Sequence, residues 1–185
     1  ECMQLQTGAL NCFGRVRDAV EPVVRKLAEE TNDTTFFGCE ANMSLVCLSL
    51  SQGGGNLVVR PEQHWLKLLH CTGAGKVIIA EKGIDWFAEL AKLNPPEKIA
   101  ANTITTVGEM RVEIEKIKQN GYALCMEECS EDVSALGIPV YDKQGEFVGA
   151  LAQSIPSLFI EAGRIDINER VKILRTYAEQ ISDQL

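Results

Sequence analysis

Apolar residues recur at helical spacing at the start of the chain. Val16, Val20, Val23, Val24 and Leu27 fall on one face, which predicts an amphipathic helix from about residue 10 to 31. Pro22 lies inside that stretch and is expected to kink or interrupt it. The pattern then changes. Thr34 to Glu40 is rich in Thr and Phe, and Ser44 to Ser51 alternates, so both read as strands joined by a short turn around Ala41 and Asn42. Gln52 to Asn56 is a glycine-rich loop, and Leu57 to Arg60 reads as a third strand stopped by Pro61.

Three helical stretches follow. One opens at the Gly73-Ala74-Gly75 turn and carries Val77 to Ala80. A second, capped by Asp85, carries Trp86, Phe87 and Leu90 and ends at Asn94-Pro95-Pro96. A third, capped by Thr106, carries Val107, Met110, Ile114 and Ile117 and closes at Gly121. Three strands come next, Tyr122 to Glu127, Ser134 to Tyr141 and Phe147 to Ile155, the last two joined by an Asp142-Lys143-Gln144-Gly145 turn. A final helix starts near Asp166, with Glu169 completing a capping box. Strands joined by short turns pair antiparallel. The fold class is therefore α+β, a central antiparallel sheet with helices packed on it.

Composition adds limits rather than a function. In 185 residues, 45% are hydrophobic and 24% charged, which suits a folded domain and not a disordered chain. The net charge of -8 makes the chain by itself a poor match for a phosphate backbone. No apolar run approaches the length of a membrane helix, and no secretory pattern follows the opening Glu-Cys-Met. The absence of an initiator Met leads us to expect a segment upstream, with residues 1–9 as its tail and residues 10–185 as the domain.

The seven cysteines are irregularly spaced and form no CxxC pair. Free thiols in a reducing cytoplasm are the expected state, and neither a metal site nor a cofactor is expected. Cys125 and Cys129, separated by three residues, give only a weak metal hint. Gly73-Ala74-Gly75-Lys76 fails as a P-loop, because His70 stands where the first Gly belongs and Val77 where Ser or Thr belongs. Its unpaired backbone N–H groups at a helix start still suit an anion, and glycine lets a ligand approach the backbone. The alternative is a tight turn packed on the sheet. His70-Cys71 and Glu127-Glu128 are neighbours expected to diverge, so neither makes a catalytic pair. Lys76 and Lys82 read as solvated.

Leu69-His70-Cys71-Thr72-Gly73-Ala74-Gly75-Lys76 is similar to the His-Ala-Ser/Thr-x-x-Gly-Lys stretch of the isocitrate lyase regulator (IclR) family. Thr103-Ile104-Thr105, Gly121-Tyr122-Ala123, Glu127-Glu128 and Ile138-Pro139-Val140-Tyr141-Asp142 resemble further blocks of that family in the same order, from about Val16 to Leu185. A family glycine near Asp132 is missing.

The resemblance implies a bacterial transcription regulator, with an N-terminal winged helix-turn-helix that this chain lacks and a C-terminal GAF-like domain that binds a small metabolite, often a carboxylic acid. It implies a homo-oligomer, dimer or tetramer, that reaches operator DNA only through the N-terminal domain. It assigns ligand contacts to the backbone of Gly73 and Ala74, and to Cys125, Ala135, Ala152 and Ser154, where relatives can carry Asp, Cys and two Ser. Apolar wall positions fall at Val59 and at Leu68 or Lys67, with Lys67 expected to point outward. Two other readings are a thiol enzyme of the methionine sulfoxide reductase type, with Cys71 and Cys125 as its thiols, and a ligand-free dimerisation module.

Overall fold

The computed structural model describes residues 2–55, 57–60 and 68–185, with side chains from residue 13 onward. The elements in chain order are α1 (Cys2–Thr31), β1 (Thr34–Ala41), β2 (Ser44–Ser51), α2 (Gly73–Lys82), α3 (Ile84–Leu93), α4 (Val107–Asn120), β3 (Ala123–Met126), β4 (Val133–Tyr141), β5 (Phe147–Pro156), α5 (Ser157–Glu161) and α6 (Ile167–Ser182). The strands form one sheet in the order β2-β1-β5-β4-β3, and every neighbouring pair is antiparallel. The long connection from β2 to β3, which carries α2, α3 and α4, joins the two edge strands and leaves β5 in the middle between β1 and β4.

Each face has its own core. Helices α1 and α6 close one side around Val24, Leu27, Phe37, Leu136, Leu151 and Leu174. Helices α2, α3 and α4 close the other around Phe36, Ile78, Phe87, Met110, Ala150 and Ala152. Alternation along the strands decides membership: Phe36 and Phe37, or Leu151 and Ala152, serve opposite cores. A buried polar cluster ties the α1/α6 side together. Arg170 of α6 pairs with Asp33 and donates to Gln153 Oε1 at 3.0 Å, and Gln153 Nε2 donates to Thr31 at 2.7 Å and Thr35 at 2.9 Å. Every partner is thereby hydrogen-bonded, as buried polar groups require.

Several expectations change. Helix α1 begins at Cys2 rather than near residue 10, so the assigned boundary at residue 9 falls within one helix. Pro22 does not interrupt it. Proline removes a hydrogen bond to the carbonyl of Asp18, and both residues are exposed, so water can serve that carbonyl. Leu57 to Arg60 is not a strand. Asp85 does not cap α3. Gly83 ends α2 and starts α3, which leaves Asp85 in the first turn. Thr106 does cap α4 through a reciprocal box with Glu109, and Gly121 closes it in the left-handed conformation. Asp166 caps α6 by accepting from the Glu169 N–H. The short helix α5 was not foreseen.

The residue near which a family glycine is missing, Asp132, has φ of 62°. That left-handed conformation favours glycine, and an ordinary side chain there costs roughly 1 kcal/mol or more. Replacing Asp132 by Gly is expected to raise stability by up to about 1 kcal/mol, read as a higher urea midpoint with an unchanged slope. A lower midpoint would mean that the Asp132 side chain supports the turn.

Candidate functional site

The candidate site is built where the start of α2 meets the sheet. Gly73 stacks on β4: a Cβ there would lie 2.9 Å from the Leu136 carbonyl carbon, and one on Gly137 would lie 2.2 Å from the Gly73 oxygen. The two glycines thus let helix and strand approach backbone to backbone. The missing side chain of Gly73 makes room for β4, as the tight-turn alternative has it.

Thr72 caps the helix by accepting from the Gly75 N–H at 3.1 Å, while its own hydroxyl donates to the Leu68 carbonyl at 2.6 Å. The Lys76 N–H bonds the Thr72 carbonyl at 2.9 Å. Helix geometry therefore leaves the N–H groups of Gly73 and Ala74 without a partner inside the helix. Both residues are buried, and the helix dipole adds positive potential there.

Below them the sheet presents a row of paired residues: Cys125 faces Ala135, Ala135 faces Ser154, and Ser154 faces Thr34. Directly opposed residues share a face. Ala152 lies two residues along β5 on the same face, opposite Gly137 and Phe36, in the same hydrophobic core as Ala74. Val59 is buried beside the row, its carbonyl accepting from the Thr34 hydroxyl. Ala135 is half-buried although Ser134 and Leu136 on either side of it are buried. Gly73, Ala74, Cys125, Ala135, Ala152, Ser154 and Val59 therefore lie together on the α2 side of the sheet.

Leu68 differs. It sits before the turn and lines a separate cleft of about 470 Å³ with Leu45, His70, Phe87 and Asn94. A second cleft, about 520 Å³, lies on the α1/α6 side against Val16, Leu48 and Phe147. The question of which way Lys67 points falls outside the described residues. Thr34 went unnoticed in the sequence. Its signal is parity with Phe36 in β1, legible only once β1 is known to pair with β5.

The motif's charged residues turn out to be internal. Lys76, expected to be solvated, is fully buried, paired with Glu128 and bonded to Glu113 at 3.0 Å. Burial opposes its charge, but the carboxylates of Glu128 and Glu113 outweigh that and hold its ammonium above the usual lysine range. Burial pushes the Glu128 carboxyl up despite the pull of Lys76. Glu113 adds to that upward push, and the Glu128 Oε2 oxygen has no hydrogen-bond partner.

His70 and Cys71 diverge. His70 Nε2–H donates to the Glu97 carbonyl at 2.9 Å, which makes Nε2 the protonated nitrogen. Burial lowers the His70 pKa, against the effect of that bond. Cys71 is fully buried, and its thiol is free.

The sequence matches the family described as bacterial transcriptional regulator IclR, C-terminal, over residues 14–183. The chain belongs to the IclR family. Among its relatives, the HTH-type transcriptional regulator KdgR of Dickeya chrysanthemi is 27% identical over 183 residues. That match covers 98% of this chain and 59% of the relative, so the chain spans about three fifths of its length.

Among solved structures, an IclR homolog from Microbacterium hydrocarbonoxydans complexed with 4-hydroxybenzoate superposes with a TM-score of 0.76 at 18% identity, covering 94% of this chain and 69% of that one. The inducer-binding domain of the PobR transcription factor from Acinetobacter, a double mutant in complex with 3-hydroxybenzoic acid, gives 0.75 at 19% identity, covering 91% and 98%. These likenesses are of fold. Within the IclR stretch His70 to Lys76, each polar side chain named above has an internal partner: His70 ties down the 97 loop, Thr72 caps α2, and Lys76 neutralises Glu128.

Two outcomes test this electrostatic core. Lys76→Met leaves Glu113 and Glu128 facing each other without a cation, and is expected to cost about 3–5 kcal/mol of stability in urea denaturation. A loss below about 1 kcal/mol would mean that the carboxylates are not truly desolvated.

His70, with its folded pKa lowered from 6.5, is neutral when folded while the unfolded chain takes up a proton. Its contribution is whole above about pH 6.5 and is lost as the pH falls below that value. The stability difference between the wild type and His70→Gln is therefore expected to shrink from pH 7 towards pH 5. A difference independent of pH would show that His70 protonates equally in both states.

Proposed function

We propose that this chain is the effector-binding domain of an IclR-type transcription regulator, and that its effector is a small organic acid. The observation that carries this reading is the start of α2, where the two leading N–H groups lie over a strand row in which Ala135 is only half-buried. A carboxylate fits those donors, because the helix dipole and the unpaired N–H groups both favour negative charge. The acid's body lies against Cys125, Ala135, Ser154 and Val59. Self-association and operator binding through a preceding winged helix-turn-helix belong to the same reading, as does action in the cytoplasm. The role is binding and not catalysis.

Side-chain size favours a larger acid. Ala135 and Ala152 supply no hydrogen bonds and little volume, and Cys125 is a weak donor. An acid of two or three carbons leaves that space unfilled. A larger or more apolar acid gains about 0.8 kcal/mol for each methylene it buries. The relatives that hold hydroxybenzoates support an acid of that size class.

A calorimetric panel of organic acids graded by size tests the reading. Benzoate-sized acids are expected to bind more tightly than glyoxylate or pyruvate. Ala135→Phe, which places a ring on that strand row, is expected to abolish binding while the protein stays folded by circular dichroism. Tightest binding of glyoxylate or pyruvate would refute the size argument, and no binding by any acid would refute the anion site. Gly73→Val is unsuitable as a probe, since its side chain would strike β4.

A further inference from the structure

The cleft that Leu68 lines has a volume of about 470 Å³. It lies between the β1–β2 turn, the segment before α2, and α3 with the residues that follow it. Small-molecule sites typically run from roughly 300 to 1,000 Å³, so the size fits. The walls are pinned by hydrogen bonds. In the turn the Met43 N–H donates to Glu40 Oε1 at 2.9 Å, and across the cleft the His70 Nε2–H holds the Glu97 carbonyl at 2.9 Å. A ligand therefore meets a wall that is already formed.

His70 is a buried polar group of that lining, only 6% exposed. With the proton on Nε2, its Nδ1 is an acceptor. Nδ1 makes no hydrogen bond to any described residue. Among the described residues, Glu128 Oε2 is the one buried side-chain atom both unpartnered and sealed from solvent. Nδ1 is thus unpartnered but not sealed, and the space open to it is the cleft that His70 lines.

The rest of the lining decides what that acceptor can hold. Leu45 and Phe87 are buried and apolar. Pro95 and Pro96 have no N–H, so their backbone gives no donor to an anion. Glu97 adds a carboxyl group, and no Lys or Arg stands among the described lining residues. A carboxylic acid would therefore bury its charge there without a cation. A bare hydrocarbon would strip water from Nδ1 and put no hydrogen bond in its place. A neutral ring with one donor avoids both penalties.

We propose that this cleft is a small-molecule site separate from the start of α2, and that it takes a neutral compound with a flat apolar body and a single N–H or O–H donor, which His70 Nδ1 accepts. The apolar body packs against Leu45 and Phe87. The organic-acid reading of the α2 start does not enter this argument.

Calorimetry near neutral pH tests the site with two probes of similar shape: indole, whose N–H can donate, and N-methylindole, which has no donor. Indole is expected to bind the wild type at one site per chain. N-methylindole is expected to bind roughly tenfold more weakly, the difference that one hydrogen bond makes. His70→Gln keeps a donor for the Glu97 carbonyl but loses the Nδ1 acceptor. It is expected to bring indole down to the level of N-methylindole and to leave N-methylindole unchanged. Benzoate is expected not to displace indole. Equal binding of the two probes by the wild type would overturn the proposal without recourse to any variant, as would no saturable indole binding. So would indole binding that His70→Gln leaves intact or that benzoate displaces.

Discussion

Helix α2 is buried from Gly73 to Ala80, with no solvent-facing side among those residues, and that constraint organises one whole half of the molecule. A helix in that position must approach the sheet closely, and Gly73 against Gly137 sets the distance. It must also dispose of its one internal lysine. Lys76 cannot reach water, so Glu113 from α4 and Glu128 from the turn after β3 come to it. The charge cluster is thus a consequence of the packing, and in turn it fixes where α4 and the β3–β4 turn lie. The same burial carries the leading N–H groups of the helix into the interior, where an anion has most to offer.

Elements with a local signal were legible in the sequence. The α6 stripe and the Thr106 and Asp166 caps depend on residues within a few positions of each other. The strands β1 and β2, and the turn that opens α2, were also placed closely. What escaped depends on distance along the chain. Lys76 reads as a surface residue because nothing near it answers its charge; its partners stand 37 and 52 positions away. Asp85 reads as a cap because aspartate usually is one, but Gly83 already breaks the chain between α2 and α3.

The candidate site divides the same way. Parity along β5 placed Ala152 and Ser154 on one face before any pairing was known. That Cys125, Ala135 and Thr34 stand in line with Ser154 requires the register of three strand pairs. The glycines of the turn carry two readings in the sequence, a ligand's approach and a turn packed on the sheet, and the packing is the one the structure displays. Sequence alone cannot distinguish a glycine that admits a ligand from one that admits a neighbouring strand.

Strands β1 and β5 carry two unrelated duties at alternate positions. Thr34 and Ser154 face the α2 side, while Asp33, Thr35 and Gln153 hold Arg170 and α1 on the other. Substitution at one set leaves the other untouched, so the ligand chemistry of such a domain is free to drift while its scaffold persists. Insertion or deletion of a single residue has no such freedom. It would turn the strand over, exchange Ser154 with Gln153, and disable both faces at once. The length of β5 is therefore constrained more tightly than its composition.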